Sequence, residues 1–323
     1  MTTHLPKDSM ETLLHQKDPI LLVGEGRLTA SVAACLLKAG HELDVYSPSA
    51  EELCLLIDDD LRSLQKHGGL REGLPTYTPY SDIPKDGKYK LVIALTEEDL
   101  YVKQNLISRL GECLNKDVII AINSESFTLN ELQKSRISNE LIGLNWTEPA
   151  HTTFFLEIIS GNDRRIAEQV KLLARSYWGK DPYIVIDSGI RSLLMSAMAR
   201  EASYLVDSGF ASVEDIDRAC RNDAGYYLPF AGNCRYMDLM GTSAYGMVMK
   251  DLNPDLSKNQ ELPQVMESIL SNGGNGMEIG SGFYKYSKEE AENWKRTIVE
   301  FSYQIQKIIE KYPFNANKTP YTD

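Results

Sequence analysis

At 323 residues the chain is long enough for two domains of roughly 150 residues each and a large hydrophobic core. Apolar residues make up 42% and charged residues 25%, which excludes a disordered, collagen-like or disulfide-scaffold chain. The net charge of −12, with no basic run, argues against a nucleic-acid partner or an anionic membrane surface.

Residues 1–18 are polar and read as a lead-in. Pro19 to Val23 is a short apolar run closed by glycine, the pattern of a strand buried on both faces. Thr29 to Ala39 has apolar residues at helical spacing and stops at Gly40, a C′ glycine. Leu43 to Ser47 is a second strand, Ala50 to His67 a helix ended by Gly68-Gly69, and Tyr89 to Ala94 a third strand. Glu98 to Leu114 is helical, with Val102, Leu106 and Leu110 on one face, and Asp117 to Ala121 is a fourth strand. This alternation predicts an α/β fold with a doubly wound parallel sheet of the Rossmann type. Residues 142–146, 155–159 and 183–187 extend the sheet.

After Asp187 strand-like runs stop. Leu193, Leu194, Ala197, Met198 and Leu205 recur at the roughly 3.6-residue helical period, and helices continue. The switch predicts a dinucleotide-binding domain over 1–187 and an all-helical domain over 188–323. The last helix, 288–311, opens on a capping-box pattern, Ser287 with Glu290. Trp294, Ile298, Phe301, Ile305 and Ile308 line one face, a stripe that docks on this chain or on a second subunit.

No apolar run approaches the roughly 18 residues of a membrane span. Met1 to Asp8 lacks the basic-then-apolar order of a signal peptide. Five scattered cysteines without a CxxC read as reduced thiols of a cytoplasmic protein. The five histidines are equally scattered, so no metal site is expected.

The first strand runs into Gly24-Glu25-Gly26-Arg27-Leu28-Thr29 and then a helix. This is G-x-G-x-x-T where a dinucleotide fingerprint stands. Gly24 permits the tight turn, and Gly26 lets backbone approach a pyrophosphate at the helix N-terminus. Thr29 replaces the third glycine. Ser47 ends the second strand, where NAD sites carry an acid, and 48–55 has no Lys or Arg for the NADP phosphate. These residues single out neither NAD nor NADP, and Ser47 offers the ribose one neutral hydrogen bond.

The second half carries further motifs. Ala211 to Ala219, Gly225-Tyr226-Tyr227-Leu228-Pro229-Phe230 with Asp238 to Gly241, and Gly280-Ser281-Gly282-Phe283-Tyr284-Lys285-Tyr286 resemble signatures of the 3-hydroxyacyl-CoA dehydrogenase family. In the first half, Glu98 to Lys103 is similar to its E-N-L-x-V-K, and Ile122 to Phe127 to its S-N-T-S-S-L. The resemblance spans residues 19–286. It implies NAD in a Rossmann domain, a helical domain that forms a homodimer, and oxidation of a 3-hydroxyacyl-CoA. A His–Glu pair takes the hydroxyl proton in that family, and Glu98, Lys103 and Asn123 fall on its nicotinamide side.

The resemblance also locates departures. The family's G-x-H-F-x-N-P reads Gly143-Leu144-Asn145-Trp146-Thr147-Glu148-Pro149 here. The catalytic histidine is Asn145, and an amide is no general base. Glu157, twelve residues on, stands where the histidine's carboxylate partner is. Glu125 occupies a substrate-serine position, and Ser192 falls near a family asparagine. The segment that grips CoA looks short and carries Glu51-Glu52 and Asp58-Asp59-Asp60 among Arg62, Lys66 and Arg71. Glu125, Glu148 and Glu157 are expected to gather in one pocket, one of them serving as proton acceptor. His151 is a second candidate base, or else an exposed loop histidine.

Two functions remain open at this level. One is an NAD(P)-dependent oxidoreductase acting on a hydroxy acid or hydroxyacyl compound. The other is an inactive relative that binds a dinucleotide or metabolite as a sensor or partner protein.

Overall fold

The computed structural model describes residues 14–70, 73–85, 87–133 and 137–312; most of the lead-in and Arg71 lie outside them. Two compact units part between Ser192 and Leu193.

The first unit is built on eight strands. These are β1 (Ile20–Val23), β2 (Leu43–Tyr46), β3 (Thr78–Tyr80), β4 (Leu91–Ala94), β5 (Ile119–Ile122), β6 (Leu141–Asn145), β7 (Glu157–Ser160) and β8 (Tyr183–Ile186). They form one sheet in the order β3-β2-β1-β4-β5-β6-β7-β8. Neighbours are parallel except β6 and β7, which are antiparallel.

Every residue of β1, β2, β4 and β5 is buried, which is why these strands read as continuous apolar runs. Asp44 interrupts β2, and its carboxylate is matched by the Tyr89 hydroxyl and the Lys88 ammonium, both at 2.5 Å. Edge strand β3 contains Pro79 and is mostly exposed, so no apolar run marks it.

Five helices flank the sheet: α1 (Gly26–Lys38), α2 (Ala50–Lys66), α3 (Leu100–Cys113), α4 (Leu129–Leu132) and α5 (Arg165–Tyr177). Residues of α1, α2 and α5 pack into the core on one face, and residues of α3 and α4 into the core on the other. The fold is thus a doubly wound Rossmann sheet. The acidic segment after β2 is an amphipathic helix: α2 buries Leu53, Ile57, Leu61 and Leu64 against this core and leaves Glu51, Glu52 and Asp59 exposed. In α3 the buried face is Lys103, Ile107 and Leu110 rather than the expected Val102–Leu106–Leu110 stripe. Val102 and Leu106 turn instead toward a groove.

The second unit is helical, with α6 (Arg191–Asp207) leading into it, then α7 (Val213–Ala219), α8 (Gly225–Met240), α9 (Thr242–Leu252), α10 (Gln264–Ser271) and α11 (Lys288–Lys311). The Ser287–Glu290 capping box forms at the start of α11. Ala231, Ala291 and Tyr303 are the only buried apolar side chains among its described residues. Trp294 (55% exposed) and Phe301 (60%) of the α11 stripe are open.

Candidate active site

The parallel strands β1, β4 and β5 end along one edge of the sheet, and loops converge there. At the end of β1, Gly24 has φ +155° and crosses close to its neighbours. A Cβ on it would stand 2.6 Å from Thr29 Oγ1 and 2.7 Å from the Leu95 carbonyl. The turn therefore requires glycine at Gly24. Thr29, in the third-glycine position, is buried, and its hydroxyl donates to the Glu25 carbonyl at 2.7 Å. It spares the fold rather than breaking it. Gly26, at φ +73°, has nothing within 4 Å of a Cβ, so its face is open.

A cavity of about 650 Å³ runs from Gly24, Glu25 and Thr29 past Tyr46 and Pro48 to Leu95, Arg109 and Asn123. A glycine cradle at a helix N-terminus opening on such a groove fits a dinucleotide.

Beyond the groove lies a brace. Asp99 caps α3 by accepting from the Val102 amide, which leaves the Glu98 side chain to reach across to the β5 loop. Glu98 Oε1 accepts from the Glu125 amide at 2.9 Å, the Ser126 amide at 2.8 Å and the Ser126 hydroxyl at 2.9 Å. Its Oε2 pairs with Lys103 Nζ at 3.0 Å. Lys103, fully buried, also donates to the Asn123 carbonyl at 2.8 Å. Burial favours a neutral Glu98, but the Ser126 amide and Lys103 outweigh it and hold the carboxyl below its ordinary range. Burial pushes Lys103 down, opposed by Glu98. The Asn123 amide binds both the N–H and the carbonyl of Thr96. The three nicotinamide-side candidates thus form one cluster that fixes the loop at 123–126.

Asn145 and Glu157 are cross-strand partners in the antiparallel β6–β7 pair, which explains their spacing. Both are completely buried. Asn145 Oδ1 accepts from the Ser124 amide at 2.7 Å, and its Nδ2 donates to the Ser124 carbonyl at 2.8 Å and to Glu157 Oε2 at 3.0 Å. Glu157 Oε1 accepts from Tyr183 Oη at 2.9 Å, the Ile190 amide at 2.9 Å and the Arg191 amide at 3.1 Å. Gly189 lies over it so tightly that a Cβ there would stand 2.3 Å from Oε2. The carboxylate accepts from the chain turning into α6.

The expected gathering of three carboxylates does not occur. Glu125 and Glu157 share Arg191, whose Nη1 donates to Glu125 Oε1 at 2.9 Å. Ser192 Oγ also donates to Glu125. Glu148 instead pairs with Arg27 of α1 at 2.9 Å and joins neither.

His151 is also misplaced by the sequence reading. It is buried, with Nδ1 3.7 Å from Asp60 of α2. Burial, then Lys38, Lys180 and Arg27, push its pKa down to about 3. Burial pushes Asp60 up to about 7. Near neutral pH this contact is therefore no full ion pair, and His151 has no part in the site around Glu125. Ser47 is buried and accepts from the Ser49 amide, so its oxygen serves the local turn.

The family model for the 3-hydroxyacyl-CoA dehydrogenase NAD binding domain matches residues 20–188, and that for the C-terminal domain matches 190–286. The chain belongs to the 3-hydroxyacyl-CoA dehydrogenase family. It is an oxidoreductase of that family, its first unit carries the NAD-binding domain, and NAD is its cofactor. Among curated relatives, 5-formyl-3-hydroxy-2-methylpyridine 4-carboxylate 5-dehydrogenase of Mesorhizobium japonicum is 25% identical over 304 residues, covering 90% of this chain and 98% of that one. The Escherichia coli 3-hydroxyadipyl-CoA dehydrogenase is 26% identical, covering 90% and 64%. A solved structure of a dehydrogenase of the same pyridine carboxylic acid shares the fold at a TM-score of 0.83, with 23% identity and 91% and 99% coverage. The (S)-3-hydroxybutyryl-CoA dehydrogenase of Ralstonia eutropha gives 0.66, with 20% identity and 84% and 99% coverage.

Sequence reasoning missed Arg191 and Tyr183. Arg191 stood in what read as a linker, and Tyr183 in a plain strand. No one-dimensional signal ties either to Glu157.

Proposed function

We propose that this family member interconverts a carboxylate-bearing hydroxy acid and its carbonyl form, with Glu125 as the proton acceptor. The carrying observation is a contrast in access. Asn145 and Glu157 are sealed, whereas the Glu125 side chain is 31% exposed and stands between Arg191 and Ser192. Bound in the groove, NAD would supply the hydride acceptor. The brace of Glu98, Lys103 and Asn123 positions Glu125 by its own backbone amide. Arg191, whose guanidinium also lies 5.5 Å from the Phe155 ring centroid, offers a fork for a substrate carboxylate. The Mesorhizobium japonicum relative is named for a ring carboxylate, which agrees with such a substrate.

Glu125→Gln tests this. Turnover of a hydroxy-acid library should fall by about 10²–10⁴-fold with the melting temperature unchanged. Undiminished turnover removes Glu125 from the chemistry. NADH binding without turnover of any hydroxy acid or hydroxyacyl-CoA overturns the proposed substrate class.

A homodimer through the helical unit belongs to the same proposal. The exposed α11 stripe and the exposed Leu193, Leu194 and Met198 of α6 support it. Phe301→Glu should shift the sedimentation coefficient toward a monomer; an unchanged value refutes the interface. No described helix is long and apolar enough to cross a membrane. With five free cysteines, a cytoplasmic location is the reading we favour.

A further inference from the structure

The adenosine end of the groove lacks the acid that usually ends the second strand. Ser47 holds that place, buried and engaged with the Ser49 amide at 3.2 Å. A carboxylate nevertheless reaches the same corner from the other side. Glu25 occupies the N-cap position of α1, yet its side chain makes no capping hydrogen bond to the helix. It extends to the loop after β2, where Ser49 Oγ donates to Glu25 Oε2 at 3.4 Å. Glu25 is exposed, and it lines the groove together with Tyr46 and Pro48.

We propose that Glu25 selects the unphosphorylated dinucleotide, accepting the hydroxyls of the adenosine ribose in place of the missing strand-end acid. The proposal rests on this groove being the dinucleotide site. The chemistry is simple. Ribose hydroxyls are donors, and an ionised carboxylate accepts only. A 2′-phosphate carries like charge and would meet the same carboxylate with repulsion. Ser49 holds Glu25 over this corner through its Oε2.

One cation faces the groove from the opposite wall. Arg109 of α3 donates to the Tyr46 phenol at 3.5 Å. If Arg109 set the preference, the phosphorylated cofactor would win. The two residues therefore predict opposite outcomes, and the assay separates them.

The experiment is fluorescence titration of the purified full chain with NADH and with NADPH, repeated on Glu25→Gln and on Arg109→Ala, each checked by circular dichroism. The expected result is at least about tenfold tighter NADH binding by the unaltered protein, from charge repulsion against the phosphate. Glu25→Gln should compress that ratio to about threefold or less, mainly by gaining NADPH affinity. A ratio unchanged in Glu25→Gln overturns the proposal alone. NADPH preference that Arg109→Ala abolishes also overturns it, in favour of Arg109. Binding of neither nucleotide overturns the proposal together with the cofactor site on which it rests. The isosteric Gln variant keeps the hydrogen bond from Ser49, so folding is not at issue.

Discussion

Replacing Glu157 by glutamine is the sharpest test of the view that this carboxylate is structural. Four donors converge on it: Tyr183 Oη, the Ile190 and Arg191 amides, and Asn145 Nδ2. Glutamine keeps one acceptor oxygen. If that oxygen faces the three donors on the Oε1 side, the new amide confronts the Asn145 amide, donor against donor. One hydrogen bond to a charged acceptor is lost, at about 1.5–3 kcal/mol. The glutamine amide, under Gly189, also becomes a buried donor without an acceptor, at about 1–3 kcal/mol more. A total of about 2.5–6 kcal/mol takes a large share of a typical stability of about 5–15 kcal/mol. For a chain of 323 residues it lowers the melting temperature by about 4–9 °C. Urea unfolding gives the first number, and kcat corrected for folded fraction gives the second observable. Activity per folded molecule should fall by less than about tenfold, against the larger loss for Glu125→Gln. Unchanged stability with kcat lowered by about 10²-fold or more would refute the reasoning and return Glu157 to the chemistry.

Other expectations follow from the same geometry. Gly189→Ala drives a Cβ toward Glu157 Oε2 and should cost about 1–3 kcal/mol by urea unfolding; a neutral result means the turn is looser than described. Gly24→Ala meets the Leu95 carbonyl and Thr29, and should weaken NADH binding by about tenfold or more in a fluorescence titration, with undiminished affinity counting against the cradle. Asp60→Asn concerns pH. Because the folded state holds Asp60 at about 7, above its ordinary value of 3.8, wild-type stability from this group declines as pH rises through that window. The advantage of the Asn variant should therefore be larger at pH 8 than at pH 5 by about 2–3 kcal/mol. His151, held at about 3, contributes in the opposite direction below its ordinary value of 6.5, but does so in both proteins. An advantage that shrinks with rising pH would contradict the burial of Asp60.

The sheet was legible because strands buried on both faces must be apolar throughout, as in Ile20–Val23 and Ile119–Ile122. The glycine turn was legible because only glycine fits where Gly24 passes Leu95. Strand β3 escaped because an exposed edge strand with a proline carries no apolar run. Helix α5 lies between two strands and went unassigned, although Ala167, Val170, Leu173 and Ala174 give it an apolar face. Within the site, residue type was legible and partnership was not. Glu98 and Lys103 look like a surface pair until the fold buries Lys103 and turns Glu98 onto the Glu125 and Ser126 amides. Glu148 and Glu157 lie in one stretch of sequence, but Glu148 engages Arg27 of α1 while Glu157 faces Tyr183. His151 looked like a loop histidine because its contact with Asp60 spans distant segments.

The closed hydrogen bonding around Asn145 constrains the evolutionary paths open to this protein. A neutral imidazole has one donor and one acceptor, whereas the amide satisfies the Ser124 N–H, the Ser124 carbonyl and Glu157 together. Histidine returned to this position would leave one of those groups stranded and would find no free volume beneath Gly189. A histidine placed at Asn145 is thus penalised structurally before it can confer any catalytic benefit. A change of chemistry at this site therefore runs through neighbours such as Glu125 and Arg191, whose side chains stay partly exposed.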